Sequence, residues 1–412
     1  MSQPTHAPLL FKTRAGTLLI GGESVTALAE RLGTPFYAYD SRLIQQRIQE
    51  LRDVLPAQVQ IHYAVKANPF PPLLRLVAGL LDGCDVASAG ELEKALEAGF
   101  SPGTISFAGP GKRDAELKAA LRAGITVNVE SAGELERLAR LGETLGIRPR
   151  AALRINPDFE LKGSGMRMGG GAKPFGIDAE QAPAIIREIK TLEIDFQGLH
   201  IFTGSQSLNM DAIVQAQSGA LLLARRLLDG SALPVRRITI GGGLGIPYFP
   251  GEIRLNINAI GDHLHLLFED HRDWLGEAHL VLELGRFLVG EAGVYVTRII
   301  DRKVSRGEIF LITDGGMHHH LALSGNLGQV IRKNYPVYLA HRVHDAPEEI
   351  VNIHGPLCTP LDVLGHKLAL PRAEIGDLIA ITQSGAYGLT ASPVHFLGHP
   401  LPAEVLIDSG RG

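Results

Sequence analysis

Between residues 59 and 285 one pattern recurs: a short β-branched run, a glycine-rich or polar break, then a stretch of helical periodicity. The runs VQIHYAVKA, CDVAS, TISFAG, ITVNVE, RAALRIN, QGLHIF, RRITIGGG and HLVLELG make eight candidate strands. Segments between them, such as GELEKALEAGF and GELERLARLGETLG, carry Leu and Ala three and four residues apart with glutamates near their starts, as amphipathic helices do. Eight strands alternating with helices favour an α/β fold closed into a parallel (β/α)8 barrel over an open doubly wound sheet, the other arrangement this alternation permits.

After residue 286 the texture changes. GVYVTRIIDRKVSRGEIFLITDGG is rich in β-branched residues and tight turns, and the N-terminal LFKTRAGTLLIGG also reads as strands. The expected division is a barrel over 35–285 and a mainly antiparallel β domain built from 1–34 and 286–412. A chain of 412 residues suits two such units. Its net charge of −4 offers no basic field for nucleic acid. No run approaches the ~20 apolar residues of a membrane span, and no signal-peptide pattern opens the chain, so a cytoplasmic protein is expected.

Alternation along a strand sorts side chains between the barrel axis and the helices outside. In VQIHYAVKA, the apolar Ile61, Tyr63 and Val65 belong outside, which turns His62, Ala64 and Lys66 inward. Lys66 then stands at the carboxyl end of its strand, where barrel active sites lie. In HLVLELG the same test puts Leu280, Leu282 and Leu284 outside and Glu283 inward, and QGLHIF delivers His200 to the same mouth. TIGGGLGIP adds Gly241, Gly242 and Gly243 after a strand, where backbone amides unobstructed by Cβ atoms suit a phosphate. Pyridoxal 5′-phosphate needs this set: an amine for its aldehyde, a phosphate cradle, and a group at the pyridine nitrogen. An acid there keeps the nitrogen protonated and favours carbanion chemistry.

Across nearly the whole chain the motifs HYAVKANP, CDVASAGEL, HIFTGSQ, GGGLG, ELGR, DGGM, GPLCTPLD and GAYG resemble those of the diaminopimelate, ornithine and arginine decarboxylases, pyridoxal-phosphate enzymes of the alanine-racemase-like fold type. The chain also resembles the branch associated with the exosortase system. The resemblance implies that Lys66 holds the cofactor covalently, that His200 stacks on its ring, and that Ser205, Gly241 to Gly243, Arg286 and Tyr387 surround its phosphate. It further implies a homodimer in which Cys358 of one copy protonates the carbanion in the other.

Three departures bear on the substrate. Thr359 follows the cysteine where family members acting on diamino acids carry an acid. HHHLALSGNLG lacks the arginine and tyrosine that hold a distal carboxylate, with Arg332 a candidate stand-in. HIFTGSQ is two residues longer than the usual spacing from histidine to Gly-Ser. These point to amino-acid α-decarboxylation on an atypical substrate, for instance an aminoacyl group on a carrier protein, with Thr359, Asp362 and Arg154 as candidate substrate contacts. Diaminopimelate decarboxylation is the alternative, and a non-catalytic regulatory homologue is the alternative of another class.

Blander readings stand beside these. Glu283 could pair with Arg154, His200 could be a core histidine, and Asp85 could begin a turn or lie near Lys66. Cys84 reads as a buried thiol without a role. Consecutive histidines cannot all face one ion, so His318, His319 and His320 are expected to be a solvated or interface run, and no metal site is expected. The glycine-rich KGSGMRMGGGAKPFG, 162–176, is expected to cover the barrel mouth.

Overall fold

The computed structural model describes residues 5–159, 166–167, 169–325 and 333–408; the expected cover over 162–176 lies partly outside them. The chain divides into two compact units, Arg47–Gly245 with Leu255–Gly285, and Met1–Gln46 with Ile246–Arg254 and Arg286–Gly412.

The strands of the first unit are β1 Val59–Ala64, β2 Gly83–Val86, β3 Ile105–Phe107, β4 Thr126–Val129, β5 Arg150–Asn156, β6 Asp195–Ile201, β7 Arg237–Thr239 and β8 His279–Leu284. Among the described residues these eight form a ring in which every neighbour is parallel, closed by β8 against β1 and by β4 against β5. Helices follow the strands: α1 Pro71–Ala78, α2 Ala89–Glu97, α3 Asp114–Ala123, α4 Ala132–Leu145, α5 Ala182–Ile189, α6 Met210–Leu228 and α7 Ile257–Leu275.

The sequence Ser-Ala-Gly-Glu starts two of these helices. Ser88 and Ser131 accept hydrogen bonds from the amides of Glu91 and Glu134. Each glutamate reaches back to an amide in front of its helix, that of Ala87 or Glu130, at 2.7 Å. Each serine cap contributes about 1 kcal/mol, and together they fix where strand ends and helix begins. The glutamates expected near helix starts therefore hold the turns at the carboxyl ends of β2 and β4. Ile61, Tyr63, Leu280 and Leu282 are fully buried, as the alternation predicts.

In the second unit the strands are β9 Gly293–Ser305, β10 Glu308–Thr313, β11 Val337–Leu339, β12 Glu349–His354, β13 Val363–Leu370, β14 Leu378–Ile381 and β15 Ala403–Ile407. The first half of β9 pairs antiparallel with β14 and with Phe36–Asp40, and its second half, beyond a bulge at Ile299/Asp301, pairs with β10. Most pairings are antiparallel, but β10–β12 and β15 with Phe36–Asp40 are parallel. Phe36–Asp40 lies inside the span assigned to the barrel from sequence, yet it pairs in this second sheet. Phe11, Leu18 and Ile20 pack into one core with Val294, Val296 and Leu378, so the N-terminal strands cover a face of the same sheet. That core excludes water from the apolar side of β9, whose exposed residues lie after Ile299.

Candidate active site

β1 ends at Ala64 and passes into a single 3-10 turn, Val65–Ala67, so Lys66 projects from that turn instead of from the strand. The turn is anchored by Asn68, whose carbonyl accepts the Tyr63 hydroxyl at 3.0 Å and whose side chain accepts the Phe70 amide. From it the Lys66 Nζ lies 3.5 Å from Glu283 Oε1, with the lysine side chain 42% exposed and the glutamate 5%. The other carboxylate oxygen, Oε2, is 3.0 Å from His200 Nε2. Amine, acid and imidazole meet at the carboxyl ends of β1, β8 and β6, as the alternation predicts.

The electrostatics follow from this packing. Burial alone would raise the Glu283 pKa; the Lys66 ammonium, the His200 hydrogen bond and the more distant Arg154 outweigh it and hold the carboxyl well below the usual range. Glu283 is therefore an anion at any ordinary pH, and His200 Nε2 must donate to it. That leaves the buried Nδ1 of His200 without a hydrogen-bond partner among the described residues, as is Asp85 Oδ2. Asp85 takes a hydrogen bond from Ser106 and lies 3.5 Å from His62 Nδ1. One donor atom each from Asp85, His200 and Glu283 lie within 4.8 Å of one another, so the group could hold a cation; the Lys66 amine already supplies positive charge there.

Beside the acid runs the glycine turn. Gly241 and Gly243 have φ of +79° and +69°, and a Cβ on Gly242 would stand 2.0 Å from the Glu283 carbonyl oxygen. The Glu283 amide donates to the Gly241 carbonyl. Only glycine lets the backbone bend and pass this close, and backbone amides without a Cβ beside them suit an anion. The Ser207 amide donates to the Gly243 carbonyl at 2.9 Å, so Ser207, unmarked in sequence reasoning, is the serine laced to the turn. Ser205 lies two residues earlier in a short ribbon, Gly204–Ser205 against Met166–Arg167. A half-exposed amine, a buried anion and an open glycine turn fit a cofactor with an aldehyde, a ring nitrogen and a phosphate.

The remaining candidates take other places. Arg154 is committed to Glu130, 2.8 Å away, and lies over the Phe175 ring, so it acts on Glu283 only at longer range. Glu130 also accepts from the amides of Gly109 and Gly176, and Lys112, 1% exposed, sits 2.7 Å from Glu134. In the second unit Arg286 lies between the rings of Tyr387 and Tyr248, 4.7 and 5.3 Å from their centroids, and donates to the Tyr248 hydroxyl. Tyr248 is not marked by any motif in the sequence; its place five residues after the glycine turn is the available signal.

Asp362, expected to meet substrate, has another task. It is 1% exposed and its two oxygens accept the amides of Met317 and Leu357 at 2.6 and 2.8 Å. It thereby pins the loop that presents Cys358, which is exposed, while Thr359 caps the next turn by accepting from the Leu361 amide. Cys84 is buried and its thiol pKa is pushed far up by that burial. Of the two expectations for the histidine run, solvated or interface, the solvated one is corrected: His318, His319 and His320 are at most 1% exposed within the chain. Burial lowers their pKa values to about 3, 4 and 3, so they are neutral near pH 7. Arg332 lies outside the described residues.

Comparison with known proteins agrees with this geometry. A family described as "Pyridoxal-dependent decarboxylase, pyridoxal binding domain" matches residues 41–290. The chain is 40% identical to L-glutamyl-[BtrI acyl-carrier protein] decarboxylase of Niallia circulans, over 94% of this chain and 91% of that one. It is 33% identical to diaminopimelate decarboxylase of Aquifex aeolicus, over 96% and 92%. The crystal structure of diaminopimelate decarboxylase from M. jannaschii with L-lysine superposes with a TM-score of 0.87 at 26% identity, covering 96% and 92%. With an amine facing a buried anion beside a glycine turn, and with these relatives along almost its full length, the chain belongs to the pyridoxal-dependent decarboxylases.

Proposed function

We propose that this pyridoxal phosphate-dependent carboxy-lyase removes the α-carboxylate from an aminoacyl group whose far end is joined to a carrier protein. The observation that carries the substrate part is Thr359: the residue after Cys358 is neutral where relatives acting on free diamino acids are acidic, so the loop offers a distal ammonium no counter-charge. The 40% identity to an enzyme named for a carrier-bound glutamyl substrate supports the same reading.

Pyridoxal phosphate, when bound, supplies the electron sink that accepts the pair left by departing carbon dioxide. Lys66 would hold it through the half-exposed amine, and Glu283 would face the ring nitrogen as a fixed anion. The amides of Gly241 to Gly243 would receive the phosphate. Ser205, Arg286 and Tyr387 are assigned to the phosphate by the resemblance, with Ser207 an added candidate. Cys358 is exposed on a loop braced by Asp362, which suits a proton donor delivered to the second copy of a homodimer. Two unpaired cysteines also suit a reducing, cytoplasmic setting.

A mass-spectrometric screen of free and carrier-loaded amino acids tests this. Loss of carbon dioxide from a loaded carrier, with free diamino acids turned over at least ~100-fold more slowly, is expected; that ratio is the size of a missing buried charge contact. Rapid decarboxylation of free meso-diaminopimelate would establish the alternative, to which the relatives at about one-third identity lend weight.

A further inference from the structure

The two anchor points for the cofactor, Lys66 for its aldehyde and the Gly241 turn for its phosphate, bracket one aromatic side chain. The centroid of the Phe202 ring is 5.9 Å from Lys66 Nζ. Its Cδ2 lies 3.9 Å from where a Cβ on Gly241 would stand. The ring therefore borders both ends of the space that a flat molecule joining them must cross. His200, two residues earlier on the same side of the chain, sits deeper and has its edge turned to Glu283, 3.0 Å away. The two rings are stacked, inclined by 14° with centroids 6.4 Å apart.

We propose that Phe202, and not His200, supplies the face on which the pyridine ring of pyridoxal phosphate lies, while His200 is a positioning residue that fixes the Glu283 carboxylate. The inference rests on the cofactor assignment above and deepens it. An imidazole holding Glu283 edge-on has that edge committed to the carboxylate that the ring nitrogen must meet. The longer HIFTGSQ spacing has the same meaning: moving two residues toward Gly204 from His200 reaches Phe202. A phenyl face offers dispersion and a ring quadrupole without an N–H and without a charge that changes near neutrality, whereas an imidazole face would titrate there. Phe202 is 8% exposed, so its ring is held by its surroundings before any cofactor arrives.

The experiment titrates pyridoxal phosphate into full-length apoprotein, reading the dissociation constant by fluorescence and the position and pH dependence of the visible band. Phe202→Leu, which keeps apolar bulk but loses the flat face, is expected to weaken binding by roughly tenfold, the worth of an aromatic contact with its buried area. Phe202→Tyr should stay within about twofold of the parent. His200→Ala should move the pH at which the band changes, while His200→Gln, whose amide can still donate to Glu283, restores it. Circular dichroism accompanies each variant, and if Phe202→Leu fails to fold, Phe202→Met takes its place. The proposal is overturned if His200→Ala loses affinity more than Phe202→Leu, or if Phe202→Leu binds as the parent does. Failure of the parent itself to form a borohydride-sensitive band would instead strike the cofactor assignment.

Discussion

Two lysines of the barrel face glutamates, and they could hardly be used more differently. Lys112 is 1% exposed, 2.7 Å from Glu134 and 2.6 Å from the Gly109 carbonyl, inside a network that includes Glu130 and Arg154. Lys66 is 42% exposed and 3.5 Å from Glu283, whose other oxygen belongs to His200. The first amine has its protons engaged by short bonds that tie the loop after β3 to the first turn of α4. The second lies at the mouth opposite a charge, with room for a reactant. An amine that must form a covalent bond cannot be locked in such a cage, so burial and partner distance separate a structural lysine from a chemical one where residue type does not.

The sharpest way to break this contrast is to remove each amine. Lys66→Ala is expected to abolish turnover by at least ~1,000-fold and to eliminate the borohydride-sensitive band, with melting temperature nearly unchanged. Lys112→Ala should do the reverse: it leaves the Glu134 carboxylate in the interior without its cation at a cost of about 3–5 kcal/mol of stability, read by denaturant titration, while the band persists in the folded fraction. If both variants lose the band but keep their stability, the division of labour drawn here is wrong.

Next in size is the acid. Glu283→Gln keeps the shape and the His200 contact but removes the charge proposed to face the ring, so turnover should fall about 100- to 1,000-fold while the cofactor still binds. Smaller is the loop brace: Asp362→Ala frees the amides of Met317 and Leu357, and turnover should drop on the order of tenfold with a changed rate of Cys358 alkylation. Alkylation at the parent rate would show that the brace does not position the thiol.

The smallest effect concerns pH. His318, His319 and His320 have folded pKa values pushed below the ordinary 6.5, to about 3, 4 and 3. The unfolded chain therefore binds protons first as pH falls, and stability declines from about pH 6.5 toward pH 4. His318, whose two ring nitrogens lack hydrogen-bond partners among the described residues, is the informative site. His318→Leu should flatten that decline in melting temperature without loss near pH 7.

Much of the barrel was legible because its signals are local. Period-two alternation put Lys66, His200 and Glu283 on the inner face, and the eight recurrences implied ring closure. What the sequence did not disclose depends on distant partners. Phe36–Asp40 reads like any strand, and only its pairing with β9 and β15 assigns it to the second sheet. The histidine run looks solvated until Tyr37 and Tyr295 are found around it, one donating to the His319 carbonyl and the other meeting its ring. Asp362 resembled a substrate ligand because a carboxylate near a cysteine carries no mark of the amides it holds. An aromatic next to a strand is ordinarily core, so Phe202 carries no local mark of its place between Lys66 and the Gly241 turn.

The near-contact of Gly242 with the backbone of Glu283 also limits how this enzyme can be retooled. A designer wishing to admit a phosphate-free analogue would want to add a side chain to the glycine turn. A methyl group at Gly242 already collides with the segment carrying the acid, so turn and acid cannot be re-engineered separately.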